Sequence, residues 1–305
     1  MRLLIDSRGD SLQKSIILPS RMWLNVRAAV FTVDVDRDVN VAEEGRYDAA
    51  SSSATSEPAP RFSSAGKGLS IIAEVLDSLD IPATFFFEGD TLRALSKQID
   101  LGTLLAGHEV ACHGVCHEDL TGESTGICLT GPEISEVVSE SASIVQDIMG
   151  RKPVGFRAPY LHVNDESLRI LSDEGFLYDS SKTRSIVQGR IGPYRLEQEI
   201  WELPVAEGKD ASGRKIVSYL WPMHEGKRSP SDYEHMASSL KQGCLVLATH
   251  SWHLVETYDR GVLSDTDREE NVGNLMRALQ LIKEQGLKFI TAKEAVESVA
   301  GGRYV

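Results

Sequence analysis

Short apolar runs alternate with amphipathic segments along this chain, and no other sequence feature constrains the fold as strongly. The apolar runs occupy 29–35, 83–89, 109–114, 155–159, 201–205, 244–250 and 287–291. Strands that alternate with helical segments predict a parallel β-sheet with helical crossovers. About seven such units in 305 residues predict an α/β fold with a single distorted (β/α) barrel. An open, doubly wound sheet is the alternative.

Three segments between these runs have helical periodicity. In 69–79 the apolar residues that share one helical face are Leu69, Ile72, Leu76 and Leu79. Residues 132–149 follow a Thr-Gly-Pro and end at Gly150, as helix caps predict. A third helix carries Leu275, Leu279 and Ile282 and ends before Gly286. We expect these helices to cover the sheet.

The predicted barrel spans 28–295, after an N-terminal extension, 1–27, and before a C-terminal tail, 296–305. Residues 40–66 are rich in Ser, Ala, Glu and Pro, so we expect a loop inserted in the barrel and no core element there. This loop is either a mobile surface insertion or a lid. It leaves from the end of the first strand, where the active sites of barrels are built.

The charge balance excludes several classes of partner. The chain has 32 Lys plus Arg against 45 Asp plus Glu, a formal net charge of −13, which repels phosphate backbones and anionic lipid. No run approaches the roughly 18–20 apolar residues that cross a bilayer, and no apolar leader precedes the barrel. We therefore expect a cytoplasmic protein without nucleic-acid binding or membrane insertion. A homo-oligomer stays open. The 4 cysteines are expected to be reduced.

Carboxylates and histidines follow two of the predicted strands. Asp34 and Asp36 alternate along one strand and so point to the same side. They are either solvated groups at a strand end or buried charges that need a cation. His113 and His117 are two imidazoles which, with one carboxylate, would leave a catalytic metal an open position. The alternatives are a structural zinc site with nearby cysteines and plain core or surface histidines.

An arginine and a histidine end two further strands. Arg157 ends an apolar run, where a permanent charge needs a carboxylate partner or forms a surface ion pair. His250 is either a hydrogen-bonded core residue or a proton donor. The aspartates and the histidine pair of the previous paragraph, like Arg157 and His250, lie at the carboxyl ends of predicted parallel strands. This is the face on which barrel active sites are built. This placement favours a single catalytic site.

These motifs together resemble the polysaccharide deacetylase (NodB homology) family, carbohydrate esterase family four, over roughly 28–295. The family motif T-F-D-D corresponds here to Thr32-Val33-Asp34-Val35-Asp36, and H-[ST]-x-x-H corresponds to His113-Gly114-Val115-Cys116-His117. The motif R-x-P-Y is matched by Arg157-Ala158-Pro159-Tyr160, and the leucine that precedes a histidine in the family corresponds to Leu247 before His250. The spaced aspartates are similar to a sub-branch with an intracellular-type peptidoglycan deacetylase and cyclic-amide hydrolases. Glycine replaces the hydroxyl residue of the second motif.

The resemblance implies a divalent metal held by Asp36, His113 and His117. Zinc is expected, with cobalt, nickel or manganese as alternatives. Asp34 would then be the catalytic base, although an exchange of roles between Asp34 and Asp36 stays open.

The remaining roles follow from the same resemblance. Arg157 would hold the base ionised, the backbone N–H of Tyr160 would bind the oxyanion and His250 would protonate the leaving amine. Trp201 with Glu202 is a stand-in for the fourth motif, so Trp201, Pro159 and Tyr160 are the expected substrate-binding residues.

The expected activity is hydrolysis of an N-acyl group, N-acetyl above all, from an amino sugar, sugar polymer or conjugate. One alternative is a cytoplasmic amidohydrolase that acts on a small cyclic imide or ureide. The other is a carbohydrate-binding protein without catalysis.

Overall fold

The computed structural model describes residues 27–52 and 59–300. Its strands are β1 (Arg27–Val35), β2 (Asn40–Val41), β3 (Ala50–Ser51), β4 (Ala83–Phe87), β5 (Glu109–Cys112), β6 (Gly155–Phe156), β7 (Tyr178–Asp179), β8 (Thr183–Ser185), β9 (Arg190–Ile191), β10 (Tyr194–Arg195), β11 (Trp201–Glu202), β12 (Val205–Lys209), β13 (Lys215–Val217), β14 (Gln242–His250), β15 (Glu256–Thr257), β16 (Gly261–Val262) and β17 (Lys288–Phe289).

The helices are α1 (Ser63–Leu79), α2 (Gly89–Leu95), α3 (Leu101–Leu104), α4 (Gly131–Met149), α5 (Asp165–Asp173), α6 (Trp221–His224), α7 (Pro230–Ser239), α8 (Asp265–Glu284) and α9 (Ala292–Ala300). Two 3₁₀ turns cover Pro159–Leu161 and Trp252–Leu254. Residues 1–26 of the predicted extension and 301–305 of the predicted tail lie outside the described residues. The predicted tail begins inside α9.

One large sheet organises the molecule. Its strand order is β10-β11-β7-β6-β5-β4-β1-β14-β9, with β17 also paired to β1. Only the β10–β11 pair of this sheet is antiparallel over the described ranges. The sheet curls into a half-barrel, so the predicted α/β fold with a distorted barrel is confirmed. Each of the seven predicted apolar runs carries one strand of this sheet.

Strands β1 and β14 form the centre of the sheet. Each has nine residues, nearly all buried, as expected for parallel strands that are covered on both faces. They pair in register from Arg27 beside Gly243 to Asp34 beside His250. The register therefore brings an aspartate and a histidine side by side at the carboxyl end of the sheet.

The three predicted helices are confirmed as α1, α4 and α8, but α1 begins earlier than its apolar periodicity indicated. The carboxylate of Asp38 accepts hydrogen bonds from the backbone N–H groups of Ser64 (3.0 Å) and Ala65 (2.7 Å). A carboxylate satisfies the free N–H groups of a first helical turn and its dipole. Asp38 thus fixes the start of α1.

The prediction of an uninterrupted loop over 40–66 is wrong. This stretch forms the hairpin β2–β3 and the first residues of α1, and 53–58 lie outside the described residues. Ala49, Ala50 and Ser51 are buried. Small side chains allow this close packing although they carry no apolar periodicity.

The part of the chain that the structure describes contains no helix long and apolar enough to cross a membrane. All four cysteines are free thiols.

Candidate metal centre and active site

A cavity of about 380 Å³ opens at the carboxyl ends of the central strands. Polar residues of the predicted site and several aromatic rings share its wall. The lining residues are Asp34, Asn40, His113, His117, Ala158, Tyr160, Leu161, Tyr219, Trp221, Ala248, Thr249, His250, His253 and Tyr258. This is the face on which barrel active sites are built.

Three side chains converge beside this cavity in a geometry that suits a metal ion. Asp36 follows β1, while His113 and His117 follow β5. One possible ligand atom from each lies within 4.8 Å of the other two, and His117 Nε2 is 3.3 Å from Asp36 Oδ2. All three residues are buried. In the described ranges, 27–52 and 59–300, this is the only such group.

The chemistry of these donors fits a divalent cation. Burial lowers the pKa of His113 to about 4 and that of His117 to about 3, so both imidazoles are neutral at pH 7, as metal ligation requires. Burial raises the pKa of Asp36 to about 7, because its charge lacks a cationic partner of its own. His113 Nδ1 lies 2.7 Å from the carbonyl oxygen of Arg157, which leaves Nε2 for a metal. His117 Nδ1 is buried without a partner.

Asp36 is held by two side chains that the sequence did not single out. Trp252 Nε1 donates to Oδ1 at 3.0 Å, and Asn40 Nδ2 donates to Oδ2 at 2.7 Å. Such outer partners orient a ligating carboxylate. In the sequence, only their closeness to site residues pointed to this role: Trp252 comes two residues after His250, and Asn40 comes shortly after the aspartates.

Asp34 is bonded to the predicted arginine. Arg157 Nη1 donates to Asp34 Oδ1 at 2.7 Å, and both side chains are buried. Burial by itself raises the pKa of Asp34, but the positive charge of Arg157, assisted by His113 and His250, outweighs it and lowers that pKa. The structure thus places Asp34 with a guanidinium and Asp36 with two imidazoles, which separates the two carboxylates chemically.

His250 ends β14 at the cavity wall. Its Nε2 is 3.8 Å from Asp36 Oδ2, and its ring stacks on Trp252 with 5.3 Å between centroids. The imidazole is only partly buried, with 24 % of its side chain exposed. A group placed next to the candidate metal and open to the cavity can exchange a proton with a bound molecule.

Three residues of the site adopt the left-handed backbone conformation without being glycine. They are His117 (φ 61°), Tyr160 (φ 57°) and Leu161 (φ 63°). Each such residue costs on the order of 1–3 kcal/mol, and such strain concentrates at functional sites. The ring of Tyr160 meets that of His117 edge to face at 4.7 Å, and its buried hydroxyl has no partner.

The structure explains the glycine in the second motif. Gly114 has φ +74°, and a Cβ there would lie 2.5 Å from Glu118 Oε2. The Glu118 carboxylate accepts hydrogen bonds from the backbone N–H groups of Val115 (2.9 Å) and Cys116 (3.0 Å). Glu118, which sequence reasoning missed, therefore shapes the turn between the two histidines.

Two of the expected substrate-binding residues do not line the cavity. Trp201 is buried in a core cluster with Tyr178 and Leu203, and Pro159 packs within 3.4 Å of the position of a Gly114 Cβ. Glu202, the other stand-in for the fourth motif, is buried beside Asp179 and accepts from Lys182 N at 3.0 Å. Only Tyr160 of the expected substrate-binding residues reaches the wall.

The cysteines near the histidines do not join the metal group. Cys112 is buried in the main core, and Cys116 Sγ donates to Glu118 Oε1 at 3.2 Å. His108 is a core histidine, since its Nδ1 accepts from Ala83 N at 3.1 Å and its ring meets Phe85 edge to face. The described residues thus give no support to a structural zinc site with these thiols.

Comparison with known proteins finds similar proteins over part of the chain. The family model described as polysaccharide deacetylase matches residues 67–178. A peptidoglycan deacetylase of Helicobacter pylori is 27 % identical over 180 residues, which is 54 % of this chain and 59 % of that protein. The chain thus spans less than two thirds of the length of this curated relative.

Solved structures of low identity share the fold. One from Mycobacterium smegmatis, assigned to the polysaccharide deacetylases, is 21 % identical with a TM-score of 0.62 and covers 92 % of both chains. An allantoinase structure is 15 % identical with a TM-score of 0.61 and covers 98 % of this chain and 100 % of its own. The matched family model thus assigns residues 67–178 to a polysaccharide deacetylase domain, and the curated relative is similar to this chain over about half of its length.

Proposed function

We propose that this chain is a metal-dependent hydrolase that removes an N-acetyl group from an amino sugar within a polymer or conjugate. The observation that carries this proposal is the convergence of Asp36, His113 and His117 next to the Asp34–Arg157 pair. The relation to peptidoglycan deacetylases supports the acyl-sugar substrate.

Asp36, His113 and His117 would hold the cation, for which zinc is our choice because imidazole and carboxylate donors suit it. When bound, such an ion supplies an acidified water molecule and a positive charge for the substrate carbonyl. Trp252 and Asn40 keep Asp36 in place through their hydrogen bonds.

Asp34 accepts the proton of the attacking water. It suits this task because Arg157 lowers its pKa despite burial, so the carboxylate is ionised at neutral pH. Arg157 itself is fixed by Thr32 Oγ1 at 2.9 Å and the Ser180 carbonyl at 3.0 Å. A base that is fixed in this way takes the proton of the water in one defined orientation.

The backbone N–H of Tyr160 stabilises the oxyanion of the tetrahedral intermediate, and His250 donates a proton to the leaving amine. Loss of one oxyanion donor typically costs roughly 3–4 kcal/mol of transition-state stabilisation. An amine is a poor leaving group until it is protonated, which gives His250 its function as general acid.

Aromatic side chains give the cavity its substrate preference. Tyr219, Trp221 and Tyr258 line it together with Tyr160, and aromatic faces pack well against the apolar C–H faces of sugar rings. The hydroxyl of Tyr258 donates to the Asn40 carbonyl oxygen at 3.0 Å, which joins the wall to the segment that holds Asp36. A volume of about 380 Å³ accommodates one acylated sugar unit against the candidate metal.

The direct test is acetate release by the purified full chain loaded with zinc. N-acetylglucosamine oligomers, peptidoglycan fragments and a cyclic imide and ureide serve as substrates, with Asp34→Asn as the control. We expect acetate from the acylated sugars, at a rate that Asp34→Asn lowers by roughly 10²–10⁴-fold. Ring opening of the imide or ureide without acetate release would instead assign a cyclic-amide hydrolase. Binding of oligomers without turnover by the zinc-loaded chain would assign a carbohydrate-binding protein.

A further inference from the structure

A buried histidine, His253, contacts the Nδ1 side of the His250 ring. His253 Nδ1 is 3.2 Å from His250 Nδ1, and His253 is fully buried. Two imidazole nitrogens at this distance share one proton, since one must donate and the other accept. The tautomer of His253 therefore decides which nitrogen of His250 carries a hydrogen.

A carboxylate lies at the other end of His253. Glu225 Oε1 is 3.4 Å from His253 Nε2, and the two side chains are 1 % and 0 % exposed. His253 Nε2 has no hydrogen-bond partner of good geometry among the described residues. The nearby negative charge favours a hydrogen on that nitrogen, because a bare lone pair facing a carboxylate is repelled.

Backbone N–H groups hold the Glu225 carboxylate in place. Its Oε1 accepts from Tyr258 N at 2.8 Å, and Oε2 accepts from Asp259 N at 3.5 Å. Glu225 thus acts as an acceptor for His253.

We infer that His253 and Glu225 are positioning residues which fix the tautomer and ring orientation of His250. Glu225 keeps the hydrogen of His253 on Nε2, so His253 Nδ1 accepts from His250 Nδ1–H. His250 Nε2, which faces Asp36 at 3.8 Å, is then the nitrogen that gives its hydrogen to the leaving amine when the ring carries hydrogen on both nitrogens, and Nδ1 keeps its own hydrogen. This inference rests on the proposed function of His250 as the general acid, and it names a chain of three residues, His250, His253 and Glu225, behind that step.

The rest of the neighbourhood holds His253 rigidly. Its ring stacks on Trp252 with 3.7 Å between centroids, and Asn271 Nδ2 donates to its carbonyl oxygen at 2.9 Å. A further histidine, His224, stacks at 6.0 Å but bonds to Asn271 Oδ1 (2.6 Å) and Thr249 Oγ1 (3.1 Å). His224 is therefore occupied elsewhere, and His253 is the imidazole that contacts His250 Nδ1.

The first experiment compares an amide with an activated ester on the zinc-loaded full chain. His253→Phe keeps an aromatic ring but removes the acceptor, while His253→Asn offers Oδ1 near the position of Nδ1. We expect His253→Phe to lower kcat for N-acetylglucosamine oligomers by roughly 10- to 100-fold and to leave KM and zinc content unchanged. His253→Asn should recover most of this loss. Hydrolysis of 4-nitrophenyl acetate should stay within about twofold, because a nitrophenolate leaves without protonation.

Matched controls separate this role from general loss of packing. His108→Phe removes another buried histidine, and Glu109→Gln removes a half-buried carboxylate, and neither residue lines the cavity. Both controls should retain the ratio of amide to ester activity, whereas Glu225→Gln should lower it. Equal losses on amide and ester in His253→Phe would overturn the inference, as would an unchanged amide kcat.

Nitrogen-15 spectra of histidine-labelled protein test the inference independently of turnover. The His250 resonances, assigned by their loss in His250→Gln, should show hydrogen on Nδ1, and His253→Phe should lower the share of molecules that carry it there. Absence of acetate release by the wild-type chain would count against the proposed function alone, since these spectra still decide the inference. Absence of hydrogen from Nδ1 of His250 in the wild-type chain would overturn it.

Discussion

Arg157 Nη1 lies 2.7 Å from Asp34 Oδ1, although the two residues are 123 positions apart in the sequence. The same nitrogen donates to Thr32 Oγ1 at 2.9 Å, and Nε donates to the Ser180 carbonyl at 3.0 Å. The guanidinium is thus bonded on several sides and cannot turn away from the carboxylate. Its charge is the reason that a buried aspartate keeps a lowered pKa.

Removal of this charge should shift the pH dependence of activity. In Arg157→Gln the burial of Asp34 is no longer balanced, so the pKa of Asp34 rises. The base then loses its charge at a higher pH as the solution is acidified. We expect the acid limb of the kcat/KM profile to move to higher pH. Arg93→Gln, which alters an exposed arginine paired with Glu140, is the control. An acid limb that stays in place in Arg157→Gln would show that Asp34 is not the titrating base.

The two aspartates should separate metal binding from turnover. Asp36→Ala removes a candidate ligand and should abolish metal retention, whereas Asp34→Asn should keep the metal and lower kcat/KM by roughly 10²–10⁴-fold. Metal content by mass spectrometry, together with acetate release, checks both. Loss of metal in Asp34→Asn alone would reverse the assignment of the two carboxylates.

Trp252 should tune metal affinity without touching the metal. Trp252→Phe removes the 3.0 Å hydrogen bond to Asp36 Oδ1, and loss of such an outer partner typically costs roughly 10- to 100-fold in metal affinity. Trp201→Phe is the matched control, since Trp201 is a buried tryptophan that does not line the cavity. Competition with a zinc indicator measures both affinities. Similar affinities in the two variants would mean that the Trp252 bond does not act on Asp36.

Gly114 should be far less tolerant of a side chain than another glycine of similar backbone conformation. Gly107 has φ +86° with nothing within 4 Å of its Cβ position, whereas a Gly114 Cβ would meet the Glu118 carboxylate. That carboxylate is bonded to two backbone N–H groups and cannot move freely. We expect Gly107→Ala to lower the free energy of unfolding by about 1 kcal/mol and Gly114→Ala by a further ~1–3 kcal/mol. Urea denaturation measures both, and equal losses would contradict this explanation.

The central sheet could be predicted from the sequence because β1, β4 and β14 are apolar runs. A polar residue follows the first two, Asp36 and Glu88, and His250 ends the third. The sequence could not predict β7, since a two-residue strand, Tyr178–Asp179, has no periodicity. The early start of α1 was also hidden, because its first turn is capped by Asp38 and not by a neighbouring residue.

The site was predictable to the extent that its residues end strands. Asp34, Asp36 and His250 follow apolar runs, and parallel strands bring their carboxyl ends together. Trp252 lies 216 residues from Asp36, and neither hydrophobic periodicity nor motif spacing encodes that contact. His253 was visible as a histidine, but only the fold shows that it contacts His250 and not the cavity metal group.

The most direct test of the central claim is anomalous diffraction at the zinc absorption edge from crystals of the zinc-loaded chain. The account predicts one anomalous peak at about 2.0–2.2 Å from Asp36, His113 and His117, with Asp34 bonded to Arg157 and not to the metal. A peak elsewhere, or a zinc ion ligated by Asp34 in place of Asp36, would contradict it.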